Sequence, residues 1–171
     1  MASPTTLPAT FVSGAVLTAA QLNDLRGAFR VLQVVTFSTT TPGSSSTTTM
    51  NNTTLTATIT PSSTSSRVLV FANHPSCSKS SGNTQNSIRI ELVKDVGGAG
   101  FNSLAVLMTN GGFTNTSLIN YFGVAGLYID SPASVAALTY KTMFGNAVAA
   151  ANVNVQVSSI RSLMVLMEIS T

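Results

Sequence analysis

Charge is scarce in this sequence, because only 8% of its 171 residues are charged, against about a quarter in typical soluble domains. The eight Lys and Arg residues are scattered, so the net charge of +3 does not form the basic patch of a nucleic-acid-binding protein. With 44% hydrophobic residues the chain does not have the composition of a disordered protein. We expect part of its surface to lie against other protein chains.

Cysteine, histidine and long apolar runs are equally sparse. The single cysteine, Cys77, excludes an intrachain disulfide and is compatible with assembly in a reducing cytosol. The single histidine, His74, lies in a stretch, residues 73–86, that we predict to be a polar loop. One His and one Cys are too few for a zinc site unless three chains shared them at an axis. There is no apolar run of about 18 residues and no secretion-signal pattern at the start, so we expect no membrane contact.

Catalytic motifs are also missing. No Gly-x-Ser-x-Gly motif is present, the five acidic residues are isolated, and the glycine-rich residues 97–100 lack the Lys and Ser/Thr of a phosphate-binding loop. Tyr121, Tyr128 and Tyr140 could stack on sugar rings, but their alternating context favours core or interface positions. We predict a protein that is not an enzyme and that has no catalytic residues, cofactor or metal.

What the sequence does contain is strand periodicity from residue 31 onward. Leu55, Ala57 and Ile59 alternate with threonines, a Pro- and Ser-rich turn follows at 61–66, and residues 67–71 are apolar on both faces, as in a central strand. Other strands are predicted at 31–37, 88–92, 104–108, 118–124, 126–129, 138–144, 153–157 and 161–169. The prediction is an all-β, antiparallel, jelly-roll-like β-sandwich over residues 31–171.

Residues 1–30 have a different character. Two prolines make residues 1–17 an extended arm, and Thr18 to Gln21 has the pattern of a capping box that begins a short helix over 18–30. The arm and helix carry apolar side chains with nothing local to bury them, which predicts a docking segment. These residues are Leu7, Phe11, Val12, Val16, Leu22, Leu25 and Phe29.

The last strand is apolar on both faces. We predict that Leu163, Val165 and Met167 face the core, which leaves Met164 and Leu166 on the outer face. The outer face of an antiparallel sandwich is normally wet, so this second set needs a cover. A neighbouring copy of the chain is the simplest cover, and Met164 and Leu166 are the predicted trimer interface.

Several stretches resemble a known family. Residues 11–23, FVSGAVLTAAQLN, resemble the opening of many tailed-phage virion proteins. Residues 58–70, the triplets 130–132 and 139–141, and the ending 163–169 resemble a β-sandwich module in fibre and decoration proteins of marine and cyanobacterial phages. The resemblance implies a virion component, usually trimeric, that docks by its N-terminus and carries no catalytic residues.

From this resemblance we expect a homotrimeric capsid decoration, or cement, protein of a bacteriophage virion, assembled in the host cytoplasm. Its partners would be its own copies and the major capsid protein or another virion protein. The alternative is a tail fibre or adhesin module that binds a host surface glycan. The absence of a coiled coil or repeat between arm and sandwich argues against a long projecting fibre.

Overall fold

The structure is a computed structural model, and it describes residue 16 and residues 30–149 and 151–170. The predicted helix at 18–30, apart from its last residue, and the predicted arm, apart from Val16, therefore lie outside the described residues. Ten strands and one turn of 3-10 helix are present in the described part: β1 Val31–Thr39, β2 Gly43–Ser45, β3 Asn51–Ile59, β4 Arg67–Lys79, β5 Ile88–Val96, β6 Asn102–Gly111, β7 Asn120–Asp130, β8 Leu138–Asn146, β9 Val153–Val155, the 3-10 turn Val157–Ser159, and β10 Ser162–Ile169.

The strands form two antiparallel sheets. Sheet A has the order β1-β10-β4-β7, and the short strands β9 and β2 continue it beside the last residues of β4. Sheet B has the order β3-β8-β5-β6. If the eight long strands are lettered B to I in chain order, the sheets read B-I-D-G and C-H-E-F, which is the strand order of a jelly roll. The predicted jelly-roll-like sandwich is confirmed.

The core lies between the sheets and follows the period-2 pattern. Leu55, Ala57 and Ile59 of β3 are buried, as predicted, and the alternate residues of β4 face them from the other sheet. β4 pairs with β10 on one side and β7 on the other, so it is the predicted central strand. A second buried cluster, nearer the far end of β4, is formed by Cys77, Ile88, Ile90, Val124, Phe144, Val153 and Val155.

Two sequence predictions about strand boundaries are wrong. Residues 73–79, predicted as part of a polar loop, continue β4, with a register shift between His74 and Cys77 that accommodates Pro75. The two strands predicted at 118–124 and 126–129 are the single strand β7. Gly126 does not break this strand; a side chain there would collide with Leu107 of β6, so glycine permits the close approach of the two edges.

No helix in the described part of the chain is long and apolar enough to span a membrane.

Candidate functional site

The outer face of sheet A is apolar across all four long strands. The strand registers place Val34, Met167, Leu69 and Ile129 in one row across the sheet. The next row contains Thr36, Val165, Phe71 and Leu127 in the same strand order. We call the apolar members of these rows, with Leu163 beside them, the apolar face: Val34, Leu69, Phe71, Leu127, Ile129, Leu163, Val165 and Met167.

The apolar face is substantially open to solvent in the single chain. Leu127 is 66% exposed, Ile129 57% and Val34 52%, while the side chains on β4 and β10 are half-buried by their neighbours. Single exposed apolar residues are common on proteins, whereas a contiguous patch marks an interaction surface.

The outer face of sheet B differs, because its side chains make polar and charged contacts with one another. Thr58 bonds Thr139 through their hydroxyl groups at 2.9 Å, and Arg89 forms an ion pair with Glu91. Lys141 lies over the Phe101 ring, 3.7 Å from its centre. The outer face of sheet B thus carries polar and charged contacts between its side chains, and the outer face of sheet A is the candidate interaction surface.

The face assignment of β10 from the sequence is wrong. Met164 and Leu166 are fully buried in the core, opposite Ala72 and Val70 of β4. They have no exposed surface for a partner, so they are not the trimer interface of the folded chain. Leu163, Val165 and Met167, predicted to be core residues, are on the outer face.

Of the predicted docking residues, only Val16 lies within the described part of the chain, and it is 91% exposed. Leu7, Phe11, Val12, Leu22, Leu25 and Phe29 lie outside it. The chain enters the sandwich at Arg30, whose backbone exchanges two hydrogen bonds with Ser170, one with its backbone nitrogen and one with its hydroxyl. The segment that precedes the sandwich therefore leaves from the β1–β10 edge of sheet A.

His74 is part of a buried polar cluster rather than a loop. Its Nδ1 lies 3.1 Å from the Gln156 amide nitrogen and 3.0 Å from the Ser162 hydroxyl, and its Nε2 lies 3.0 Å from the Thr142 hydroxyl. The hydroxyls of Ser162 and Thr142 can each donate or accept, so both ring nitrogens of a neutral imidazole have a partner. Burial lowers the pKa of His74 to about 4. The imidazole is neutral at physiological pH and, being fully buried, cannot reach a substrate.

Cys77 is equally inaccessible. It is fully buried in the second core cluster, and burial raises the pKa of its thiol to about 12, so it is not a reactive thiolate. Among the described residues, no group of three or more His, Cys, Asp or Glu side chains could hold a metal ion.

The acidic residues of the sandwich are each held by their own partners. Asp130 accepts a hydrogen bond from Lys94 at 2.7 Å and another from the Tyr140 hydroxyl at 2.6 Å. Asp95 accepts from the backbone of the glycine-rich turn. These contacts give the carboxylates structural roles.

Glu168 is a structural residue that sequence reasoning missed. Burial raises its pKa, but hydrogen bonds from Gln33, Ser62 and Ser66 outweigh this and lower the pKa to about 2. The Ser62 amide and hydroxyl and the Ser66 hydroxyl each lie 2.7 Å from one carboxylate oxygen. The serine-rich turn is thus organised around a buried carboxylate from the other end of the chain.

The three tyrosines are one core residue, one residue at the edge of the core and one surface residue. Tyr140 is buried, and burial together with its hydrogen bond to Asp130 raises its pKa. Tyr128 is half-buried against the core, while Tyr121 is 61% exposed.

The end of the sandwich where β4 reaches Lys79 is closed by three loops, 80–87, 112–119 and 147–152, which we call the loop end. Backbone hydrogen bonds join the loops: Gly82 donates to Ser117 and Ser80 donates to Asn152. The buried Lys79 ammonium donates to the Thr116 carbonyl at 2.5 Å. The loops surround a cavity of about 220 Å³ that is lined by Gln85, Ser87, Asn110, Phe113, Ala147 and Val148.

Comparisons with known proteins add little. No protein-family description and no curated protein matches the sequence. Solved structures that match include the infectious bursal disease virus Gx strain (TM-score 0.43, 10% identity) and a VP2 subviral particle of the same virus (TM-score 0.41, 7% identity). Each alignment covers 82% of this chain, which spans about a third, 33%, of the viral chain.

An exo-β-1,3-galactanase from Phanerochaete chrysosporium also matches, with a TM-score of 0.26, 13% identity, and coverage of 84% of this chain and 31% of the enzyme. Likeness at this level carries no argument about function, so the fold class rests on the strand order described above.

Proposed function

We propose that the protein is a non-enzymatic structural component of a phage virion, a capsid decoration protein that assembles as a homotrimer and docks through residues 1–30. The observation that carries the proposal is the apolar face of sheet A. The resemblance of residues 11–23 and of the sandwich stretches to phage virion proteins supplies the biological setting.

The apolar face needs a cover that further copies of the chain can supply, and the number of three copies comes from the resemblance to virion proteins that are usually trimeric. Burying a Val, Leu, Ile, Phe or Met side chain contributes about 1.5–3 kcal/mol, and the apolar face offers eight such side chains, several of them more than half exposed. Arg67 shares this outer face and pairs with Ile169 at the end of the sheet, so its charge lies beside the apolar rows and not among them. As the sequence predicts, one face of β10 needs a cover outside the sandwich core. That face carries Leu163, Val165 and Met167, and not Met164 and Leu166.

Docking by the N-terminal segment is compatible with the point at which the chain enters the sandwich. Arg30 is fastened to Ser170 at the β1–β10 edge, so a segment leaving there can reach beyond the sandwich. The polar face of sheet B stays in solvent in this arrangement, which suits a protein exposed on a particle.

Quantitative mass spectrometry of purified virions tests the proposal. A decoration protein is present in a fixed, near-stoichiometric ratio to the major shell protein. A small fixed number of copies per particle would support the alternative, a tail fibre or adhesin, and absence from the virion would refute both. Particles assembled without the protein should accept it when it is added back.

A further inference from the structure

The cavity at the loop end has the chemistry of a binding site. Its described lining contains the carboxamides of Gln85 and Asn110, the hydroxyl of Ser87 and the ring of Phe113, which is 45% exposed. None of these lining residues is ionisable, so the cavity does not select a phosphate, a nucleotide or a metal ion. This lining suits a neutral ligand that exchanges hydrogen bonds with the carboxamides and packs an apolar surface on the ring.

We propose that the loop end binds a neutral saccharide, with one sugar ring in the cavity. A sugar ring combines hydroxyl groups, which carboxamides can bind as both donors and acceptors, with a C–H face that packs on an aromatic ring. The cavity volume of about 220 Å³ is below the range of about 300–1,000 Å³ for pockets that take drug-sized ligands, which suits one ring. Further rings of an oligosaccharide would extend over the exposed loop residues 113–119.

The loops beside the cavity are held together by buried carboxamides that do not line it. The carboxamide of Asn146, buried at the end of β8, accepts from the backbone nitrogens of Ser87 and Val148 at 3.3 Å each, and donates to Ala151 at 2.6 Å. It also bonds the side chain of Asn86, which in turn donates to Asn152 at 2.7 Å. Two buried carboxamides thus tie the 80–87 and 147–152 loops together before any ligand arrives.

The third loop is positioned just as firmly. Gly112 has a φ of 73°, and a side chain there would collide with the Phe122 ring, so only glycine fits this turn. The turn presents Phe113, whose backbone nitrogen bonds the Asn110 carbonyl at 3.2 Å. Lys79 fixes the same loop at Thr116. The backbone around the cavity is thus held in place before a ligand arrives, while the Gln85 carboxamide is ordered on binding, which suits a weak ligand such as a single sugar.

Saturation-transfer NMR on the intact protein tests this inference, with glucose, galactose, mannose, N-acetylglucosamine and their β-linked disaccharides as probes at millimolar concentration. At least one of these sugars should bind with a millimolar Kd, and Phe113→Ala should weaken its binding about tenfold. Gln85→Ala should also weaken binding, and the Gln85 side chain makes no hydrogen bond that the described structure records, so its loss leaves the fold intact.

Phe101→Ala is the matched control, because Phe101 is exposed to a similar extent, 42%, and lies beyond the opposite end of β5, away from the cavity. The inference is overturned if none of the probes binds, or if binding survives both Phe113→Ala and Gln85→Ala unchanged. Sugar binding is measured on the free protein, and capsid decoration is measured on particles. The saccharide site can therefore be refuted without refuting decoration, and decoration without refuting the site.

Discussion

The apolar face leads to a sharp prediction for Leu127→Lys. Leu127 is 66% exposed in the single chain, so a lysine there leaves the protomer folded. Because Leu127 is already one-third buried in the single chain, each copy of a trimer that covers this face would lose about two thirds of the value for full burial, or about 1–2 kcal/mol. The three copies together lose about 3–6 kcal/mol, which lowers the association constant of the trimer by about 10²- to 10⁴-fold. Burying the three ammonium groups would add a desolvation cost.

Sedimentation velocity at micromolar concentration measures the outcome. The wild type should sediment as a trimer and Leu127→Lys as a folded monomer. Val106→Lys is the control, because Val106 is 47% exposed on the outer face of sheet B, where Glu91 pairs with it across the strands. A monomeric wild type, or a Leu127→Lys variant that remains trimeric, would refute the assignment of the interface to sheet A.

The remaining predictions concern the core, the pH dependence and the arm. Leu166→Asp should cost more than about 4 kcal/mol and unfold the chain, because it places a carboxylate in the core; a folded variant in circular dichroism would contradict this. The pKa of His74 is 6.5 in the unfolded chain and about 4 in the folded protein. Below pH 6.5 the unfolded chain therefore binds a proton that the folded protein does not, and the free energy of unfolding should fall by about 3 kcal/mol as the pH drops to 4. Urea titrations should show a flatter profile over this window for His74→Gln, and an unchanged profile would exclude His74 as the cause. Deletion of residues 1–16 should leave a folded trimer that no longer attaches to particles, and attachment at wild-type occupancy would refute docking by the arm.

The sequence determined the fold class of this protein. Alternation in β3 and β5, the turn at 61–66 and the apolar central segment of β4 are local patterns, and the strand period of two relates them directly to burial. The sequence also showed that β10 is apolar on both sides, and hence that one side needs a cover outside the sandwich core.

Only the tertiary structure decided which side that is. A strand with apolar residues on both faces carries no internal signal of orientation, and a shift of one residue in register exchanges the faces. The pairing of Leu166 with Val70, and of Val165 with Phe71, set the orientation. That pairing moved the candidate interface from Met164 and Leu166 to the neighbouring residues.

The same reason explains the other features that the sequence did not reveal. His74 and Cys77 look like loop residues until the rest of the sandwich buries them, and Glu168 has no visible role until its partners at Ser62 and Ser66 come from over a hundred residues away. The loop-end cavity likewise joins side chains from separate loops. Contacts between distant segments depend on the packing of the two sheets, which no local pattern of residues encodes.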